Sequence, residues 1–284
     1  MATDTKIQWC DDTVNPTMGC DGCELWNRKT GVKRCYAGIL HERHGGKNSG
    51  YAPRFEQVTR FPGRMGKAAN AKCLRGKKRR GKPWLNGMPR MYFVSDMSDS
   101  LSKAVDFEFL EAEIIDNTTS AAGERHAWLW LTKQPGRMKE FSRWLEKREI
   151  GWPPNLWVGT SVTTMQTTWR VDELLQVGDE KSIRFLSIEP QWQDLDLGKW
   201  LQKLDWIIQG GESGTGAVSF PYEWARRLRD DCAAAGTPYF LKQVGPKPTE
   251  GGHPVEIGDS HGGNWAEWPE DLRVRQVPER TGVV

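Results

Sequence analysis

The chain has 284 residues, 40 Lys or Arg against 37 Asp or Glu for a formal net charge of +3, and 37% hydrophobic residues. That length can bury a full core in one large domain, and no apolar run approaches the ~18 residues that cross a bilayer. With a polar start that carries no signal-peptide pattern, a cytoplasmic protein without a membrane partner is expected. Six cysteines in so long a chain are not a disulfide framework, and in a reducing compartment a close cluster points to metal.

The first expected element is a strand over residues 6–10 (KIQWC), followed by NPTMGCDGC, which carries Cys20 and Cys23. Cys35 comes after eleven more residues and opens an expected helix over 35–44. Three clustered thiols with no evident fourth suggest a metal centre with one coordination position open, an arrangement suited to chemistry rather than scaffolding. A structural zinc knuckle completed by Cys10, His41 or His44 is the alternative at this point.

Residues 47–90 are strongly basic, with thirteen Lys or Arg against Glu56 alone, while the rest of the chain sums to −9. Lys77, Lys78, Arg79, Arg80 and Lys82 sit among Gly and Pro with neither helical nor strand period. An exposed loop that binds nucleic-acid phosphates, with steep salt dependence, is therefore expected. Trp26 and Trp84 flank the cysteines and this loop, where an exposed indole would stack on a base. Trp128, Trp130, Trp157 and Trp206 fall inside apolar runs and read as core, as does Cys232.

From residue 91 onward, short runs rich in β-branched and aromatic residues occur at 91–95, 127–131, 156–160, 183–188, 206–209 and 239–241. Helix candidates lie between them at 102–121, 135–149, 167–177, 197–204 and 221–235, the last closed by Gly236. About seven strands in this repeat predict an α/β fold, a full or partial (β/α) TIM-type barrel. It occupies residues 1–245 as a single domain, including the 47–90 basic insertion, with a C-terminal extension over 246–284 that has no assigned element. No GxGxxG follows the early strands, which counts against a dinucleotide fold.

In such a barrel the loops after the strands build the site. They bring the cysteine loop, then Ser95, Asp96, Ser98 and Asp99; Thr132 and Lys133; Ser161; Glu189; Gly210, Gly211, Glu212 and Ser213; and Lys242 and Gln243. Acids, lysines and hydroxyls converge on one rim with three cysteines. Glu189, at the end of an expected buried strand, would be costly there without a partner.

Trp9 with Asn15-Pro16, Gly19-Cys20, Cys35-Tyr36-Ala37, SDMSD at 95–99, LTK at 131–133, WVG at 157–159 with Ser161-Val162, LSIEP at 186–190, GGESG at 210–214 and FLKQ at 240–243 recur in a known order. On these pieces, spanning residues 6–245, the chain resembles a phage and bacterial family of three-cysteine-motif proteins. That family is related to radical S-adenosylmethionine enzymes and distantly similar to spore photoproduct lyases. The resemblance implies a partial TIM-type barrel, a [4Fe-4S] cluster on Cys20, Cys23 and Cys35, S-adenosylmethionine as co-substrate and an electron donor to the cluster. With the basic loop beside it, the expected reaction is a 5′-deoxyadenosyl radical abstracting hydrogen from a nucleic-acid base or nucleotide, and a duplex target would have to leave the stack to reach the site. Ser95, Asp96, Ser98, Ser161, Gly210, Gly211 and Glu212 would then hold the cofactor. Asp99, Lys133, Glu189 and Lys242 would position substrate or shuttle protons. Two departures stand out: the spacing is Cys-x2-Cys-x11-Cys instead of CxxxCxxC, and the Gly-Gly-Glu that holds the methionine amine after the second strand falls at 210–212, near the sixth. Two other readings compete, a zinc-stabilised nucleic-acid-binding protein without redox chemistry and a radical enzyme acting on a small metabolite or peptide.

Overall fold

The computed structural model describes residues 4–214 and 216–283, with seven strands in one all-parallel sheet. They are β1 (Asp12–Val14), β2 (Arg90–Val94), β3 (His126–Thr132), β4 (Leu156–Ser161), β5 (Arg184–Ile188), β6 (Trp206–Gly210) and β7 (Tyr239–Gln243). Spatial order follows chain order, and β1 does not pair with β7, whose outer edge instead takes an antiparallel bridge from Arg275, so the sheet is a curled half-barrel that does not close. Strands such as AWLWL, apolar on both faces, suit a sheet covered on both sides.

Six strands lie where the apolar runs put them. The first does not: residues 6–10 form no strand, and β1 is the more polar Asp12–Val14. Its register, Asp12 against Tyr92, is accompanied by an ion pair between the Asp12 carboxylate and Arg90 at the start of β2, a tertiary contact that no apolar pattern encodes.

The crossovers carry α1 (Tyr36–His44), α2 (Arg64–Ala69), α3 (Phe107–Leu110), α4 (Asp116–Thr119), α5 (Pro135–Glu146), α6 (Trp169–Leu174), α7 (Gly198–Leu201) and α8 (Tyr222–Ala235). The helix expected over 102–121 begins only at Phe107, because the Asp106 side chain accepts the Phe109 N–H at 2.9 Å and caps it there. A π turn, Glu111–Ile115, joins α3 to α4.

Alternate strand residues face opposite ways. Tyr92, Trp128, Trp130 and Val158 pack outward with the helices. Phe93, Trp157, Phe185, Trp206 and Phe240 pack inward against Trp9, Cys10 and Leu85. The chain around residues 7–10 and the tail fill the space that missing strands would occupy. Trp157 Nε1 donates to Thr281 O (2.9 Å) and Trp206 Nε1 to Gln276 O (2.8 Å). Residues 246–283 hold a small hairpin, Pro248–Glu250 with His253–Pro254, and two 3-10 turns, and they bury Trp268 and Leu272 in the outer core. Among the described residues no helix is long and apolar enough to cross a membrane.

Candidate active site at the cysteine loop

All loops that follow strands of a parallel sheet leave from the same end, and here they enclose a cavity of about 770 Å³. Cys20 and Cys23 reach it from the loop after β1, and Cys35 reaches it from the residue that precedes α1. Gly19 and Gly22 take left-handed φ values of 94° and 97°; a Cβ on Gly19 would lie 2.7 Å from Phe55 O. Cys20 N–H donates to Phe55 O at 2.7 Å, and Cys23 and Trp26 exchange backbone hydrogen bonds at 2.9 and 3.1 Å. The Cys20 sulfur accepts from Gly22 N–H and the Cys23 sulfur from Leu25 N–H, both at 3.4 Å. Met18, Trp26, Ala37, Phe55 and Met97 form an apolar sleeve behind Cys20 and Cys35.

Burial, then the charges of Asp99, Cys23 and Cys35, pushes the Cys20 thiol well up; only the Gly22 N–H opposes this. Burial also raises Cys23, opposed by Lys133. Burial thus favours the neutral thiol at Cys20 and at Cys23. Among the described residues no three His, Cys, Asp or Glu side chains stand close enough to hold a single metal ion. The candidate fourth zinc ligands sit elsewhere: Cys10 is buried on the inner face, His41 Nδ1 is engaged by Ala37 O at 2.8 Å, and His44 packs on Tyr51.

Two clasps that the sequence reading missed fix this loop. Glu24 accepts two hydrogen bonds from Arg170 (2.9 and 2.8 Å) and one from Thr163 Oγ1 (3.1 Å). Burial works to raise its carboxyl, but the Arg170 hydrogen bonds and charge, with Lys133, outweigh it and bring it down to about 2. Arg34, next to Cys35, pairs with Glu212, donates to Gly216 O at 2.9 Å and lies over the Trp192 ring. Glu212 also accepts the Val218 N–H, so the carboxylate expected to hold cofactor is engaged by the chain itself.

Ser95, Asp96, Ser98, Asp99, Lys133, Ser161, Glu189, Gly211, Glu212 and Lys242 all line the cavity. Ser95 is held at φ 72°, and its hydroxyl meets Ser100 Oγ at 2.9 Å. Burial raises Asp96, opposed by hydrogen bonds from Asn15 and Thr13, while the Tyr36 hydroxyl donates to the Asp96 carbonyl. Ser98 Oγ lies 3.0 Å from Thr17 Oγ1. Asp99, also raised by burial, accepts from Thr132 Oγ1 (2.8 Å), Lys133 N–H and Leu101 N–H (both 3.1 Å). Its oxygens therefore hold the turn that presents Lys133. Among the described residues Lys133 Nζ has no ion-pair partner. Glu189 faces Lys242 Nζ at 2.8 Å, with Ser187 Oγ at 3.4 Å. Gly210 stands behind the wall: a Cβ there would come within 2.7 Å of Glu189 Oε1, so the glycine leaves room for that carboxylate. Residues 5–9 with Asp259, His261 and Asn264 complete the wall, and the sequence reading assigned none of them to the site.

The basic run departs from expectation. Arg79 turns inward to a bidentate pair with Asp11 (2.8 and 3.0 Å) and donates to the carbonyls of Met88 (3.0 Å) and Pro89 (2.8 Å). Lys82 Nζ donates to Thr5 O and Cys10 O, both at 2.6 Å. Neither side chain is free for phosphate, because each saturates carbonyls that the folded chain brings to it. Lys77, Lys78 and Arg80 remain exposed, and the run leads into the start of β2. The aromatics are not exposed platforms either. Trp26 is buried with Nε1 on Glu56 (3.0 Å), and Trp84 donates to Gln8 O (2.7 Å) and packs edge-on to Trp265.

No curated protein and no solved structure is significantly similar to this chain. One family model matches residues 4–271, almost the whole of the fold just described, and the chain belongs to that family, the proteins of unknown function DUF5131.

Proposed function

We propose that this chain is a radical S-adenosylmethionine-type enzyme that takes an iron–sulfur cluster on Cys20, Cys23 and Cys35 and a base- or nucleotide-sized substrate beside it. The observation that carries the reading is the meeting of three thiols on one cavity with an unpaired lysine and a half-buried Glu–Lys pair. The donor set suits a cluster: soft sulfur ligands, backbone N–H groups on two of the sulfurs and an apolar sleeve that excludes water. When bound, a cluster with one iron not held by the protein supplies one-electron chemistry on S-adenosylmethionine.

The chain's own residues bind, orient and exclude. Lys133 Nζ offers a cation beside Cys23 for an anionic group of the ligand. Glu189 and Lys242, held at 2.8 Å, can pass a proton between carboxylate and ammonium at the far wall. Asp99 positions Lys133 through the Thr132–Lys133 turn, and Arg34–Glu212 straps the cysteine loop across the mouth. A reducing cytoplasm suits free cysteines that serve as cluster ligands. Anaerobic reconstitution with iron and sulfide, followed by electron paramagnetic resonance of the reduced protein, tests the reading. A cluster signal that changes on adding S-adenosylmethionine and is lost in C20A/C23A/C35A is expected. Stoichiometric zinc with no cluster signal under strict anaerobiosis refutes it.

A further inference from the structure

The stretch from residue 57 to residue 95 contains no acid. Its cations separate by direction. Arg79 and Lys82 point inward and make a dense set of hydrogen bonds, while Lys77, Lys78 and Arg80 point to solvent. A loop that only aids solubility needs no such anchorage; here two inward cations hold the backbone that displays three outward ones. Lys72 and Arg125 extend the surface. Lys72 O accepts from Arg90 Nε at 2.8 Å at the start of β2, and Arg125 O accepts from Cys73 Sγ at 3.3 Å just before β3. Both side chains are exposed, and among the described residues none of these five cations has an ion-pair partner.

We propose that this end of the half-barrel, where the strands begin, is a docking surface for the phosphate backbone of duplex nucleic acid. From residue 57 to residue 95 the charge is of one sign without interspersed acids, which is what a polyphosphate selects. Single-strand surfaces interleave cations with stacking aromatics. The one aromatic of this loop, Trp84, is instead tucked against Phe240 and Trp265. The surface therefore contacts phosphates and not bases, so it binds without sequence preference. The grip localises the protein on a polyanion, and the anchors of the loop reach the cavity wall, since Lys82 donates to Thr5 O and Trp84 to Gln8 O.

The inference does not depend on the cluster, and its test does not use one. Binding of a 20-base-pair DNA duplex and of a 20-nucleotide single strand is measured by fluorescence anisotropy across a salt series for wild type and K77A/K78A/R80A, with Arg79 and Lys82 left in place. Thermal melting checks the fold of the variant. The expected result is duplex affinity at least tenfold weaker in the variant at about 0.1 M salt. The slope of log K against log salt should also be shallower by about 2 to 3, near 0.9 per lost phosphate contact. An unchanged slope, absence of duplex binding by wild type, or a variant that loses only binding to an acidic polypeptide such as polyglutamate would each overturn the assignment. Tighter binding of the single strand than of the duplex would overturn it as well.

Discussion

Replacing Glu24 with Gln tests how the cysteine loop is fixed to the barrel. Glu24 follows Cys23, and its carboxylate is the anion that Arg170 on α6 faces, in a pair whose side chains are 22% and 8% exposed. Its carboxyl falls from the ordinary 4.5 to about 2, which at ~1.4 kcal/mol per unit sets a ceiling of about 3 kcal/mol. Removing one member of a buried pair costs about 3–5 kcal/mol, and the partial exposure of Glu24 reduces this. E24Q is therefore expected to lose about 2–3 kcal/mol at neutral pH, read as a fall of roughly 3–5 °C in melting temperature. The pH dependence has a definite sign. The carboxyl is depressed on folding, so its stabilisation is complete above 4.5 and is lost as pH falls towards about 2. In urea titrations the gap between wild type and E24Q should be constant from pH 7 to about pH 5 and roughly halved near pH 3. A gap under about 0.5 kcal/mol at pH 7, the range of an exposed pair, or one that does not shrink in acid, refutes the argument.

Arg79→Ala leaves Asp11 buried without its partner and should cost about 3–5 kcal/mol in urea unfolding. Arg79→Lys keeps the charge but not the two-pronged geometry and should recover only part of it; a loss below about 1 kcal/mol in the Ala variant would mean that the loop is anchored otherwise. Gly38→Ala places a Cβ 2.3 Å from the Trp26 ring, so an overpacking cost of about 1–3 kcal/mol is expected, together with faster alkylation of Cys20, Cys23 and Cys35 as the sleeve loosens. Unchanged melting and alkylation would show that the ring can move aside freely.

Much of the architecture was legible because it rests on burial along the chain. Runs such as AWLWL and RFLSI can hardly be anything but strands of a covered parallel sheet, and polar residues just past their ends mark the mouth. What the sequence hid depends on partners distant in the chain. The polar Asp12–Val14 is a strand through its pairing with β2, while the more apolar KIQWC is not one. Arg79 and Lys82 read as solvated until the fold brings Asp11 and the carbonyls of Thr5 and Cys10 beside them. Glu24, adjacent to Cys23, was the visible clue to the loop's clasp, but Arg170 lies 146 residues away. Glu212 carried the motif that drew attention, and the structure gives it to Arg34.

The inner face of the half-barrel is sealed by pieces drawn from across the chain: residues 7–10, the Trp84 loop, and the stretch from Arg275 to Thr281. The Trp157–Thr281 hydrogen bond closes a loop of 124 residues, and Trp206–Gln276 one of 70. Ordering so long a span before the contact forms is entropically slow, so the helix-covered face can assemble from near neighbours while the seal must wait. Until it forms, Trp157, Phe185, Trp206 and Phe240 present a wet aromatic surface beside an unpaired sheet edge. Chaperone demand and aggregation should therefore respond most to changes near residues 275–281, far from any catalytic group.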